Sequence, residues 1–141
     1  MVDHQSDIAE AIIHSLVEDP HVDFPQNQII SGQRSWVKTK AQLSVGGVLV
    51  AYADGRGDTK IITGKPLART LRYVVSVGRK QVETQKKIED DVESVIRCLH
   101  RKRHNGISLT YLFDGFNTVI NDVLWFDVTF ETPLLALEDH D

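Results

Sequence analysis

The stretch LWFDVTFET, residues 124–132, sets how the rest of the chain is read. Phe126, Val128 and Phe130 alternate with Asp127, Thr129 and Glu131, the period-two pattern of a strand with one apolar and one polar face. Pro133 is expected to end it. The same alternation appears in RTLRYVVSVGR, where Leu71, Tyr73, Val75 and Val77 are separated by Arg72, Val74 and Ser76. Upstream, Gly46-Gly47 precede VLVAYA, a short apolar run that reads as a well-buried strand. DGRGDTK then reads as a loop, running on to Lys65-Pro66. A connection of roughly 12–15 residues is longer than a usual hairpin, and long loops tend to carry function.

Two segments change period. In SDIAEAIIHSLVED, Ile8, Ile12, Ile13, Leu16 and Val17 form one stripe of an amphipathic helix that Asp19-Pro20 stops. A polar connector with Pro20, Pro25, Gln26, Asn27 and Gln28 follows. The second helix is expected from about Thr84 to His104, with Ile88, Val92, Val95, Ile96 and Leu99 as its stripe and Asn105-Gly106 as its stop. ISLTYLFDGFNTVIND reads as short strands or turns around Asp114-Gly115. The order implies an α+β fold: a mostly antiparallel sheet of about four to five strands with two helices packed on one face. Residues 1–141 form a single domain in this reading, with an acidic tail, 136–141, expected to fray.

Composition narrows the function. A net charge of −4 argues against a surface that grips nucleic acid everywhere. Cys98 is the only cysteine, so no intramolecular disulfide forms and a reducing compartment fits best. No apolar run reaches the ~18 residues of a membrane span. The N-terminus lacks the basic and apolar regions of a signal peptide, so the default is a soluble cytoplasmic chain.

One segment stands apart. IRCLHRKRHNG, residues 96–106, gathers Arg97, Arg101, Lys102 and Arg103 with His100 and His104. Glu83, Glu89, Asp90, Asp91 and Glu93 precede it, the polarity that a helix macrodipole favours. Helix electrostatics therefore accounts for much of the clustering. What remains is a cationic spot suited to an acidic neighbouring subunit or a DNA backbone. No aromatic interleaves with the charges to read bases. His100 and His104 at i, i+4 would share a helix face, but Arg101 stands where an HEXXH glutamate would sit.

Other motifs dissolve on inspection. GRGD, residues 55–58, is a charged turn within a loop whose Asp54, Arg56, Asp58 and Lys60 are candidate contacts with a neighbouring protein. TGKP, residues 63–66, lacks the glycine and the Ser/Thr of a phosphate loop. Cys98 beside Val95 and Leu99 reads as a half-buried structural thiol. Asp127 and Glu131, four residues apart on a strand, lie roughly 13 Å from each other, too far to share a site. Nothing assembles an active site, so neither enzymatic activity nor a cofactor is expected. Trp36, Trp125, Phe126 and Phe130 read as core; Trp125, on the polar face, would also suit an interface anchor.

The succession GGVLVAYADGRGD, LRYVVSVGRK, an acidic-to-basic helix, LFDGF and WFDVTFETP resembles the tail terminator proteins of Mu-like contractile-tailed bacteriophages, over about residues 5–135. The resemblance implies a virion structural protein, assembled in the host cytoplasm, whose copies form a ring, typically hexameric. That ring would stop the tail tube, receive the sheath end and present the surface for head joining. Its implied partners are further copies of itself, tube and sheath proteins, head–tail connector proteins and DNA passing through the lumen. A heterologous ring needs two complementary surfaces. The basic segment and acids such as Asp54/Asp58 or Glu138/Asp139 are candidates for them. Two other classes share these features: a head–tail connector or completion protein, and a small nucleic-acid-binding module that sets Arg97 to Arg103 against phosphates.

Overall fold

A computed structural model describes residues 5–32, 40–57, 69–80, 87–100, 103–104 and 107–134; of residues 5–7, 103–104 and 134 it describes the backbone alone. Helix α1 spans Gln5–Glu18 and a single 3-10 turn spans Gln26–Gln28. Strands β1 (Ile29–Ser31), β2 (Gly46–Gly57) and β3 (Arg69–Lys80) come next, then helix α2 (Ile88–Leu99). A two-residue pair, β4 (Arg103–His104) and β5 (Ile107–Ser108), precedes β6 (Thr110–Ile120) and β7 (Val123–Leu134). The main sheet has the order β1-β2-β3-β7-β6 and is antiparallel except where β1 lies parallel to β2. The fold is α+β, as the patterning implies.

Both helices cover one face of the sheet. Ile8, Ile12 and Leu16 of α1 and Val92, Val95 and Leu99 of α2 are buried in one cluster with Val48, Val50, Leu71, Tyr73, Val75, Val77, Val128 and Phe130. The alternation read from β3 and β7 is therefore the core pattern, each apolar side chain pointing at a helix stripe. Arg79 pins the start of α2 to the sheet, donating from Nε and Nη2 to the buried carboxylate of Asp91 and stacking over Phe24. Cys98 is buried rather than half-buried, its thiol donating to the Ser15 carbonyl at 3.5 Å.

The other face is only half open. Lys40 stands over β7 and β6 on this face, and the chain enters β2 at Gly46. Lys40 is 2% exposed; its ammonium donates to Asn117 Oδ1 at 2.8 Å, pairs with Asp127 at 3.5 Å and lies 5.4 Å from the Trp125 ring. Burial lowers the Lys40 pKa from its ordinary value, and Asp127 opposes that shift. The Trp125 ring also rests on Gly78, where a Cβ would come within 2.6 Å of ring atoms. Gly46 needs its own freedom, with φ +99° and a Gly78 carbonyl 2.4 Å from where a Cβ would sit.

Five expectations change. The second helix ends at Leu99, five residues early, because the stripe ends there and the chain turns extended at His100. His100 forms a bridge with Leu109, and its Nδ1 accepts the Tyr111 amide at 2.9 Å. His100 and His104 therefore share no helix face. The loop starting at Asp54 begins later, since residues 54–57 extend β2 against β3. Asp114-Gly115 is no turn but the middle of the eleven-residue strand β6, and the turn falls at Asn121 and Asp122, both with positive φ. Ile29–Ser31, within the stretch after the first helix, forms a short parallel edge strand. Pro133 does not end β7; it pairs with Thr70 of β3 beyond the reach of β6, so no second ladder needs its missing N–H.

Candidate assembly surface

The uncovered part of the outer face carries a cross-strand charge ladder. Asp54 of β2 stands opposite Arg72 of β3, which stands opposite Glu131 of β7. Strand alternation puts these side chains on the outer face, and register sets them in a row. Arg72 donates from Nε to Asp54 Oδ1 at 2.8 Å and from Nη2 to Oδ2 at 2.5 Å. That guanidinium holds the Asp54 carboxyl below its ordinary value, with Arg56 adding to the effect. Asp54, Arg56, Thr70, Arg72 and Glu131 line a shallow depression of about 220 Å³. It holds both signs of charge and no buried nucleophile. Such a surface matches a complementary protein face better than a small substrate.

Beside the ladder lie two sheet edges. β6 is an edge strand, and its Phe113, Phe116 and Val119 are each more than half exposed. It contains one charged residue, Asp114, whose carboxylate accepts a hydrogen bond from the Tyr111 hydroxyl. Phe116 packs edge-on against Phe126 on the helix side of the sheet. At the opposite edge, β1 covers β2 only at Val48–Val50. Among the described residues the outer edge of β2 is open beyond that point.

The residues singled out from sequence separate in space. Asp54 and Arg56 join the ladder, whereas Asp58 and Lys60 lie outside the described residues. Arg97 is exposed on the last turn of α2, 3.5 Å from Glu93, so its charge is already partnered. Arg101 and Lys102 lie outside the described residues; Arg103 lies on β4, paired with Ser108. The basic segment is thus divided between a helix end and a small hairpin. Trp125 cannot anchor an interface in this form: it is 0% exposed, with the Lys40 ammonium 5.4 Å from its ring and Gly78 against the ring. Trp36 and the acidic tail 136–141 lie outside the described residues. Arg72, Glu131 and Lys40 were missed. The first two sit on the polar faces of readable strands, but no local signal shows that they become neighbours. No helix among the described residues is long and apolar enough to cross a membrane.

Among known proteins, no family model matches the chain, and no curated protein matches its sequence significantly.

Proposed function

We propose that the chain is a structural subunit of a contractile phage tail, the tail terminator, whose copies form a ring on the end of the tail tube. The observation that supports it most is that, among the described residues, one sheet carries both an open, apolar edge at β6 and an open edge at β2. Such a subunit can repeat head to tail. The charge ladder beside β2 then supplies the face that meets tube, sheath or connector protein, and Asp54 and Arg56 belong to it. In this reading the chain performs no catalysis and needs no cofactor. A DNA-binding role through Arg97 and Arg103 is less favoured, because Arg97 faces Glu93 and the two arginines lie on different elements.

The test mixes the purified chain with a polymerising tail tube protein encoded beside it. The chain should decorate tube ends, and added in excess it should shorten the tubes in electron micrographs. Tubes that grow to unchanged length with bare ends would overturn the proposal. Binding to connector protein without any effect on tubes would transfer the role to a head–tail completion protein.

A further inference from the structure

We infer that copies associate by strand addition, β6 of one copy pairing antiparallel with the open edge of β2 in the next. This rests on the ring reading for closure; the pairing itself rests on the two edges. β6 is long and carries no lysine, arginine or proline, the residues that usually blunt an exposed edge. Among the described residues β2 is uncovered past Val50, the last residue that β1 reaches, where Gly32 N–H donates to the Val50 carbonyl. Within one sheet β2 and β6 run in opposite directions. A copy related by rotation about an axis along the strands therefore presents β2 antiparallel to β6, with its helices on the same side.

Side-chain faces select the register. Asp114 and Phe116 lie on the helix side, opposite Val128 and Phe126; Phe113 and Gly115 lie outside, opposite Thr129 and Asp127. On β2, Gly55 shares the helix side with Leu71, while Asp54 and Arg56 face outward. Setting Asp114 opposite Gly55 keeps Phe113, Asp114 and Gly115 on the same faces as Arg56, Gly55 and Asp54, the stretch that lies between the bulges of β6 and β2. It brings the Asp114 carboxylate beside Arg69, whose guanidinium lies 3.0 Å from where a Gly55 Cβ would sit. Among the described residues Arg69 has no carboxylate partner, only the Tyr52 hydroxyl at 3.5 Å. The same register stacks Phe113 against Arg56, which has no ion pair among the described residues, as a cation–π contact. It also sets Gly115, where nothing lies within 4 Å of an added Cβ, against Asp54 and leaves the Asp54–Arg72 pair intact.

The stagger agrees independently. Within one sheet Phe113 is level with Ala51, through Thr129 and Val74, whereas the pairing sets it opposite Arg56. Allowing for the bulge in β2 between Tyr52 and Asp54, each copy thus steps four ladder positions, Val74 to Thr70, about 14 Å, across four strands, about 19 Å, which tilts the strands by about 35°. Closed barrels tilt by about 35–45°. The neighbouring same-face registers, two or six ladder positions, give about 20° or 47°. Pairing β6 with β6 instead would bring two Asp114 carboxylates together with no cation on either strand.

Sedimentation velocity on the full chain tests this with Asp114→Arg, Arg69→Glu and the double variant. The unmodified chain should sediment above the mass of a dimer. Each single variant should fall to the mass of one chain, and the double variant should recover the oligomer, which also shows that the substitutions leave the fold intact. A mass capped at a dimer would overturn the pairing in favour of β6 against β6. An oligomer indifferent to both charge reversals would overturn it while leaving the ring reading standing. A chain that stays monomeric at every concentration also overturns it, and the tube-end assay then decides the ring reading separately.

Discussion

Gly78→Ala tests the outer core directly. An added methyl group would sit 2.6–2.7 Å from Cδ2, Cε2 and Cε3 of Trp125. Carbon atoms prefer about 3.5–4.0 Å, so the ring has to retreat by about 1 Å. It cannot move freely: it is fully buried and Lys40, itself 2% exposed, lies over it. Overpacking of this kind costs about 1–3 kcal/mol. Replacing glycine regains about 0.4–1 kcal/mol by restricting the unfolded chain. The net loss is about 1–2 kcal/mol, which lowers the urea midpoint by roughly 0.5–1 M and Tm by roughly 3–8 °C. Gly115→Ala is the matched control, since nothing lies within 4 Å of its added Cβ. A strand glycine is weaker than alanine by about 0.5–1 kcal/mol, so that variant should hold or gain stability. Equilibrium urea unfolding followed by tryptophan fluorescence measures both. A Gly78→Ala midpoint equal to or above that of Gly115→Ala would refute the stacking of Trp125 on β3.

Asp91→Ala should be among the most damaging single changes, because it strands the Arg79 guanidinium. Removing one partner of a buried pair costs about 3–5 kcal/mol, and the lower end applies because Arg79 also donates to the Asp23 carbonyl at 3.2 Å. Calorimetry reads the loss, and a change below about 1 kcal/mol would mean that the pair does not hold α2 to the sheet. Burial, and then Tyr52, raise the pKa of Tyr73 above its ordinary 10.0. The unfolded chain therefore releases this proton first as pH rises past 10.0, and stability falls above that value while remaining intact below it. Tyr73→Phe should flatten the fall in urea midpoint between pH 10 and 11.5; an unchanged alkaline limb would show that Tyr73 is not responsible.

The sequence alone determined the helix stripe of α1, the apolar faces of β3 and β7 and the α+β class. These are local periodicities: a residue's face follows from its neighbours at i+2 or i+4, and burial only has to agree. Leu71, Tyr73, Val75 and Val77, all 0% exposed, are such a case. The end of α2 was decided elsewhere. Charge polarity suits a helix to His104, but His100 accepts the Tyr111 amide and the chain peels away at Leu99. Trp125 read as polar-faced because its strand neighbours are polar; it is buried, with Lys40, 85 residues earlier, and Gly78, 47 residues earlier, both against its ring. The candidate surface is likewise a product of register. Asp54, Arg72 and Glu131 are ordinary strand charges until β2, β3 and β7 align them, and β6 becomes an exposed edge only by taking the last place in the sheet. Pairing partners and edges are relations between distant segments, and no local pattern encodes which segments will meet.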